Sequence, residues 1–407
     1  MRGIKQDTFI YISAEILSKS VTLLLMPVLT NNLTIEQFAR YAYFMALYMV
    51  LSHVILFFQD ISISRYSFRY GKRGSEILLK ISFRLIVFIS AISSLIIFFT
   101  NKFSTELIIL IITSISYALY SIHLRLRQIH FKPFSYAKIQ LSCILLTSTL
   151  TYIFLKQGIL AEQSFFVAIS ISHLCLFFIM TRNINSAGNV KYSSTQRTVI
   201  FYKFVFFTGV PGLVSQLAVL SRTHIDRILI YNVHAEESLA NYVIGAQLGG
   251  AISIIIGAVN KAVLPYFWSA LKSATINAKN ISRISLLSIL LIPLLPSVVF
   301  LIPTNFFTYV FGERYTSVGY YTAVFMLAHV ILIPYQLIYH FLMYHGKVWG
   351  LSNILIFSSI INFILIFLLV EHVPLKFLPF ITVLSNTLMV GLILTWFWLR
   401  ELRKIVY

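Results

Sequence analysis

The sequence predicts an all-α integral membrane protein with about twelve transmembrane helices in two six-helix bundles. The chain has 407 residues, of which 58% are hydrophobic and 11% are charged, and a soluble protein of this composition would expose large apolar patches. Many of its apolar runs reach the roughly 20 residues that cross about 30 Å of hydrocarbon. Its basic residues gather between these runs, so membrane topology explains the net charge of +19 without a nucleic-acid partner.

The apolar runs fall into two groups, separated by a longer polar segment. The first group lies at roughly 9–30, 38–60, 77–100, 105–124, 135–155 and 163–181. The second group lies at roughly 204–228, 239–263, 284–303, 318–342, 348–370 and 376–399. We therefore expect an N-terminal six-helix bundle at 1–182, a cytoplasmic connector at 183–203 and a C-terminal six-helix bundle at 204–407.

The distribution of Lys and Arg predicts the orientation of the spans. With both termini in the cytoplasm, the inside segments carry most of the basic residues, and the outside segments hold Lys102, Lys156, Arg314 and Lys376. The first apolar run is expected to be a span and not a cleaved signal peptide, because Glu15 and Lys19 lie inside it and no small-residue cleavage pattern follows. Both termini are thus predicted to be cytoplasmic.

Two short patterns recur in the two halves. Leu17 to Ser20, inside the first span, is echoed by Leu220 to Thr223 inside the seventh. Glu36 to Tyr41, just before the second span, is echoed by Glu237 to Tyr242 just before the eighth. Copies on the same side of the membrane predict parallel halves related by a pseudo-two-fold axis along the membrane normal, with a central cavity between the bundles. Chance similarity between apolar helices is the alternative.

Motifs through nearly the whole chain carry a family resemblance. They are Pro27 to Thr30, Thr34 to Tyr41, Asp226-Arg227 followed by Glu236 to Tyr242, and Pro265 to Phe267. In these motifs and its twelve spans the chain resembles the polysaccharide-transporter family, the O-antigen flippases of Wzx type, within the multidrug/oligosaccharidyl-lipid/polysaccharide exporter superfamily. Ala39 and Ala240 stand where family members commonly have Gly, which weakens the motif without changing the architecture.

The resemblance implies a function, a location and a set of partners. It implies a flippase in the bacterial inner membrane that moves undecaprenyl-pyrophosphate-linked oligosaccharide units from the cytoplasmic to the periplasmic leaflet by alternating access. The expected partners are this substrate, membrane lipids, a coupling ion (H⁺ or Na⁺), and polysaccharide polymerase and chain-length proteins. No cofactor is expected, because the sequence has no evident phosphate-cradling Gly loop, metal-ligand cluster or nucleophile triad.

Charged residues inside the spans are the first candidates for a substrate site, because an unpaired charge in lipid is costly. Lys19 lies near the middle of the first span, with Glu15 four residues earlier on the same face. Arg222 and Asp226 repeat this spacing in the seventh span with the charges reversed, and Arg227 follows. We expect Lys19 and Arg222 to bind phosphate groups in the cavity and the acids to orient them. The alternatives are local charge neutralisation, or snorkelling of the two arginines to the outer interface.

Other polar residues suggest an entrance and a proton path. The inner ends of the spans carry charged residues that would attract an anionic lipid head group or would serve only as topology anchors: Asp60, Arg65, Arg84, Arg125 and Lys261. Proton coupling could use a carboxylate or imidazoles inside the spans, although a structural role is the alternative for each histidine: Asp226, His53, His173 and His329.

The seventh span also contains Gly209-Val210-Pro211-Gly212. A proline and two glycines in this position predict a kink or hinge, and helix packing is the alternative explanation for Gly209, Pro211 and Gly212.

Two other functions are consistent with many spans. An O-antigen polymerase-type membrane enzyme would need a sizeable periplasmic loop, and the outside loops are too short for one. A drug/cation antiporter of the same superfamily should favour acids within its spans, whereas Lys19 and Arg222 favour an anionic substrate. The sequence therefore favours transport over catalysis.

Overall fold

The computed structural model describes residues 4–70, 73–99, 104–158, 161–182, 195–234, 236–273, 275–344 and 348–399. Within these ranges all regular elements are helices. The helices before residue 190 are α1 (Ile4–Asn32), α2 (Ile35–Leu56), α3 (Gln59–Tyr70), α4 (Arg73–Phe99), α5 (Thr105–Ile129), α6 (Pro133–Lys156) and α7 (Ser164–Arg182). Those after it are α8 (Thr195–Tyr231), α9 (Glu236–Lys272), α10 (Ala278–Leu287), α11 (Leu291–Phe300), α12 (Thr304–Phe311), α13 (Val318–Val330), α14 (Ile333–Tyr344), α15 (Val348–Leu369) and α16 (Pro379–Phe397).

In the described part of the chain, twelve segments are long and apolar enough to cross a bilayer, and they confirm the predicted fold class. The second candidate span, Ile35–Ser67, combines α2 with most of α3, and the tenth, Val318–Leu342, combines α13 with most of α14. Large apolar side chains such as Leu24, Phe207 and Phe300 are left 71%, 75% and 72% exposed by the protein itself. Such a surface is suited to lipid, because only hydrocarbon solvates it without penalty. The chain is a multi-pass membrane protein.

The chain packs as two compact units. Unit 1 comprises Met1–Leu25 and Tyr43–Leu220, and unit 2 comprises Met26–Ala42 and Ser221–Tyr407. In unit 1, α7 packs against α5 and α6, and α3 packs against α4 and α5. In unit 2, α9 packs along α13, and α16 contacts both α13 and α15. The domain boundaries predicted at residues 182 and 203 stay a prediction, and 183–194 lie outside the described residues.

Buried apolar side chains hold each unit together. In unit 1 the core includes Ile55, Leu78 and Ile122, each at most 2% exposed. In unit 2 it includes Ile338 and Phe397, both 0% exposed. Small polar residues also join helices, and this is a common way of linking spans in a membrane. For example, Ser170 on α7 donates a hydrogen bond of 2.8 Å to Thr113 on α5.

The second span is broken between α2 and α3, where Phe57 and Phe58 both adopt the left-handed backbone conformation, with φ of 48° and 57°. This conformation is uncommon and strained for a bulky residue. The two rings occupy the space beside Gly209 and Gly212 of α8, and a methyl group added to Gly209 would lie 2.6 Å from Cε1 of Phe57. The glycines therefore admit the rings of a broken helix. α8 itself is helical through Pro211, and a hinge there stays a prediction.

Candidate functional site

Two charged pairs lie on the candidate spans of unit 1. The first is formed by Lys19 and Glu15 on α1, whose Nζ and Oε1 are 3.6 Å apart. Lys19 lies near the middle of the span Phe9–Asn32, and 51% of its side chain is left uncovered by protein, against 31% for Glu15. The predicted contact between these residues is therefore present, on a helix face that the rest of the chain leaves open.

The second pair joins Asp60 at the start of α3 to Arg125 near the end of α5. Nη2 and Nε of Arg125 both donate to Oδ2 of Asp60, at 2.9 and 3.3 Å, and Nη1 donates to Oε1 of Gln128 at 2.6 Å. The two side chains are 15% and 35% exposed, respectively. Both residues were predicted to lie at the inner ends of spans, but their pairing was not predicted. In the structure they are in direct contact.

The Asp60–Arg125 pair lines a cavity of about 230 Å³ within unit 1. The other lining residues are His53, Leu56, Phe58, Ile61, Tyr117, Leu213 and Gln216. The Nδ1 atom of His53 lies 2.8 Å from the carbonyl oxygen of Met49, an arrangement that places a proton on Nδ1, because a carbonyl oxygen only accepts. The cavity is thus amphoteric, because it contains one acid, one permanent cation and one imidazole.

Neutral polar side chains lie near the two charged pairs. Tyr136 on α6 interacts electrostatically with both Glu15 and Arg125, and its ring packs edge-on against that of Tyr11 at 5.1 Å. Gln140, one turn further along α6, donates to Oγ of Ser18 at 2.9 Å. The residues predicted as cavity cation and as cytoplasmic entrance therefore belong to one polar region of unit 1.

Arg222, on α8, lies among neutral acceptors of unit 2. Its guanidinium donates to Oγ of Ser359 (2.7 Å), Oγ of Ser358 (2.8 Å), Oδ1 of Asn386 (3.0 Å), the carbonyl oxygen of Leu355 (3.2 Å) and Sδ of Met389 (3.3 Å). Among the described residues, no carboxylate forms an ion pair with it. We call these five acceptors the Arg222 cage. Their dipoles replace the counter-ion that a half-buried charge otherwise needs.

Asp226 is paired with Tyr242 and not with Arg222. Its Oδ2 accepts a 2.5 Å hydrogen bond from the Tyr242 hydroxyl on α9, and its Oδ1 accepts one of 2.9 Å from the backbone N–H of Arg227. The expected Arg222–Asp226 contact is absent from the described residues, because the guanidinium reaches α15 and α16 while the carboxylate reaches α9. Arg227 is only 5% exposed, so it does not snorkel. Tyr41 interacts electrostatically with Arg227. Tyr41 and Tyr242, which end the two repeated motifs, therefore both lie near Asp226-Arg227.

The remaining predicted residues are dispersed. Arg65 and Arg84 are exposed, as expected of either a topology anchor or an entrance residue. The side chain of Lys261 lies outside the described residues. His173 is 4% exposed and stacks on Tyr120 at 4.7 Å, a geometry typical of a structural histidine. His329 is half-buried in α13.

Sequence reasoning missed the neutral members of the region in unit 1, namely Tyr117, Tyr136, Gln140 and Gln216. Glutamines within apolar spans are a usable signal, because an amide in lipid needs hydrogen-bond partners. Gln59, beside Asp60, is fully buried, and its amide has no hydrogen bond among the described residues. No group of His, Cys, Asp and Glu in the described part of the chain could hold a metal ion.

Comparison with known proteins shows relatives along the full length. No family model matches the chain. A Haemophilus influenzae protein named "Lsg locus putative protein 1" is 27% identical over 387 residues, or 94% of each chain. An uncharacterized membrane protein of the same organism is 29% identical over 363 residues, or 88% of each chain.

Solved structures share the fold. The inward-facing conformation of a multidrug resistance MATE family transporter of the MOP superfamily matches with a TM-score of 0.69 and 13% identity, over 97% of this chain and 98% of that one. The lipid II flippase MurJ, in an inward closed conformation, matches with a TM-score of 0.69 and 15% identity, over 98% and 91%. The chain therefore has the fold of these transporters, whose structures contain two six-helix halves.

Proposed function

We propose that this protein is a flippase of the bacterial inner membrane. In this proposal it moves an oligosaccharide linked to an undecaprenyl-pyrophosphate carrier from the cytoplasmic to the periplasmic leaflet by alternating access. One observation carries the proposal. Lys19 is a charged residue in the middle of a span, and the rest of the protein leaves 51% of its side chain exposed. A lysine at this depth is costly in contact with lipid, so its exposed face favours a water-filled path.

The charges on the spans favour an anionic substrate. The side chains of Lys19 and Arg125 are both accessible, and each is more exposed than the acid with which it pairs. A pyrophosphate group needs cations and hydrogen-bond donors to leave water. Arg125 would supply its planar fork, Lys19 a compact charge, and Tyr136 and Gln140 hydrogen bonds for sugar hydroxyls.

A second candidate is export of cationic drugs, and the fold favours it as much as the first, because the MATE transporter and the flippase have equal TM-scores of 0.69. A cation exporter would use Glu15 and Asp60 as its binding groups. Both carboxylates are the less exposed members of their ion pairs, at 31% for Glu15 against 51% for Lys19 and 15% for Asp60 against 35% for Arg125. We therefore rank an anionic, lipid-linked substrate first.

Deletion of the gene in its host distinguishes the two functions. A flippase defect should remove surface polysaccharide and leave lipid-linked oligosaccharide at the inner leaflet, with drug susceptibility unchanged. Loss of a drug exporter should leave surface polysaccharide unchanged and increase susceptibility to cationic drugs. Reintroduced wild-type protein should restore the polysaccharide, whereas Lys19→Glu at equal membrane abundance should not.

The proposed orientation has its own test. We place both termini in the cytoplasm because the inside segments would then hold most of the Lys and Arg residues. Alkaline phosphatase fused after residue 399 should be inactive, since it folds only in the periplasm, whereas the same reporter inserted after Asn32 should be active. The reverse pattern would overturn the orientation.

A further inference from the structure

We infer that Asp60 occupies the phosphate-binding edge of Arg125, and that a phosphate group bound in this cavity displaces the carboxylate and draws a proton onto it. The inference rests on the proposed function only for the source of the phosphate. At the cavity of unit 1, anion binding and proton uptake would be thermodynamically linked.

The Asp60–Arg125 pair leaves one edge of the guanidinium incompletely used. A guanidinium binds carboxylate or phosphate through two parallel N–H donors on one edge. Here the Nε and Nη2 edge of Arg125 is directed at a single oxygen, Oδ2 of Asp60, at 3.3 and 2.9 Å. This edge thus has the donors for a bidentate anion but holds only one acceptor atom. A phosphate group with two oxygens on this edge would use the donors better.

The far side of the guanidinium keeps Arg125 in place when its partner changes. Nη1 donates to Oε1 of Gln128, one turn away on α5, at 2.6 Å. Because this bond does not involve Asp60, it should survive displacement of the carboxylate. The guanidinium can therefore exchange an internal carboxylate for an external phosphate.

The cavity supplies the space and the remaining groups. Its volume of about 230 Å³ holds roughly seven water molecules, enough for a phosphate group with part of its hydration. Gln216 and Tyr117 line it as neutral polar groups. Both members of the ion pair are partly accessible, at 15% and 35%, so an anion can reach the guanidinium.

Among the described side chains, few titratable groups face Asp60. Arg125 and Tyr117 face it from α5, His53 faces it from α2, and the residues of α8 that line the cavity, Leu213 and Gln216, carry no charge. Three basic residues of α3 and α4, namely Arg65, Lys80 and Arg84, are exposed and are not among the residues described as lining the cavity, and the side chains of Arg69 and Arg73 lie outside the described residues. With Asp60 ionised and His53 neutral, the charges of the lining residues sum to zero.

Protonation of either Asp60 or His53 makes this charge positive. A phosphate that takes the Arg125 edge leaves the Asp60 carboxylate beside a second anion without its cation. The repulsion between the two anions, together with the loss of the guanidinium partner, favours the protonated form of the carboxylate. Anion binding and proton binding therefore strengthen each other. Where one proton is taken up per anion, the binding constant rises about tenfold for each unit by which pH falls.

Calorimetric titration of the purified full chain in detergent tests this linkage. Inorganic pyrophosphate and a polyprenyl diphosphate serve as probes, each between pH 6 and 8 in two buffers of different ionisation enthalpy. Wild type should take up about one more proton per anion than Asp60→Asn, a difference that cancels the protonation of the probe itself. Asp60→Asn should bind at least tenfold more tightly than wild type at pH 8, because the competing carboxylate is gone. Arg125→Gln should lose binding.

Glu36→Gln is the matched control, because it removes a carboxylate from another ion pair, Glu36–Arg40 at 2.7 Å, in a different unit. It should bind and take up protons as wild type does. If Asp60→Asn does not fold, the pH slope of wild type for sulfate, a tetrahedral dianion that does not titrate between pH 6 and 8, still decides the matter. Equal binding of the two probes would assign a phosphate group alone, and binding of the polyprenyl diphosphate alone would assign a lipid head group.

Proton release by wild type relative to Asp60→Asn, or a pH slope of binding in wild type that is opposite in sign to the predicted one relative to Asp60→Asn, would overturn the inference. Equal proton uptake by wild type and Asp60→Asn would also overturn it. Failure here is distinguishable from failure of the proposed function. A protein that flips lipid-linked oligosaccharide with no such linkage contradicts only this inference, and a proton-linked anion binder that flips no lipid contradicts only the proposed function.

Discussion

Tyr242 on α9 donates a hydrogen bond of 2.5 Å to Oδ2 of Asp226 on α8, and the two residues are 0% and 3% exposed. This bond ties the second half of α8 to unit 2. It also gives the repeated motif ending in Tyr242 a structural meaning, because the tyrosine supplies the donor that a buried carboxylate needs.

Tyr242→Phe should destabilise the protein. The substitution leaves a buried carboxylate oxygen without its donor, which costs about 1–3 kcal/mol or more for a charged group. We expect a lower melting temperature in detergent. Tyr309→Phe is the matched control, because Tyr309 is 89% exposed, and it should melt as wild type does. Equal melting temperatures for the two variants would show that the bond does not contribute.

The contributions of Ser358 and Ser359 to stability should depend on Arg222, because both belong to the Arg222 cage. Ser358→Ala and Ser359→Ala each remove a hydrogen bond to a guanidinium, worth about 1.5–3 kcal/mol. In an Arg222→Met background the same substitutions should cost much less, since the charge that they satisfy is absent. Chemical or thermal unfolding of two four-member cycles, one for Ser358 and one for Ser359, measures this coupling. Additive losses would mean that the serines act independently of Arg222.

Arg222→Lys should not be a conservative change. An ammonium has three donors on a flexible chain, and it cannot reproduce the five contacts of the planar guanidinium. We expect a loss of stability that approaches that of Arg222→Met. If Arg222→Lys is fully stable yet inactive in transport, Arg222 acts on the substrate more than on the fold.

Gly212→Ala should disturb the break between α2 and α3. A methyl group there would clash with the ring of Phe58, whereas Gly391 on α16 has nothing within 4 Å of a methyl position. Gly391→Ala should therefore be neutral, or more stable by up to about 1 kcal/mol, the usual gain in a helix. Gly212→Ala should be less stable than wild type, and Phe58→Ala should relieve part of its cost. Identical effects of the two glycine substitutions would contradict the packing described for Phe58.

The apolar spans could be predicted from the sequence because length and hydropathy alone determine whether a helix fits a bilayer. The break at Phe57 and Phe58 could not, because phenylalanine rarely adopts positive φ and tertiary packing imposes it here. Gly209 and Gly212 were recognised as residues of either a hinge or a helix-packing contact, and they pack against Phe57 and Phe58. Their role in admitting two aromatic rings depends on contacts about 150 residues away.

The charged residues of the candidate site were predictable, and their partners only in part. The pair of Lys19 and Glu15 follows from a spacing of four on one helix. The partners of Arg222 are neutral residues on α15 and α16, and a serine or asparagine there has no pattern that points to an arginine. The pair of Asp60 and Arg125 joins α3 to α5, a contact that the spans do not specify.

Charge reversal at Lys19 tests whether this residue binds the substrate or only neutralises Glu15 on the same helix. Lys19→Glu should reduce transport about tenfold or more, because a charged hydrogen bond to the substrate is worth about 1.5–3 kcal/mol. The exchange variant, Glu15→Lys with Lys19→Glu, restores the pair but moves the cation by one turn. Transport should remain low in the exchange variant if the cation must be at position 19. Full recovery would show that the pair only neutralises its own helix.

Transport by the purified protein in liposomes measures the central claim most directly. Vesicles would contain a fluorescent undecaprenyl-pyrophosphate oligosaccharide, and an external reagent that modifies only the outer leaflet would follow its movement. We predict that wild type makes the inner pool accessible, that Lys19→Glu does so at least tenfold more slowly, and that Glu36→Gln matches wild type. Accessibility no faster in wild-type vesicles than in protein-free vesicles would contradict the account.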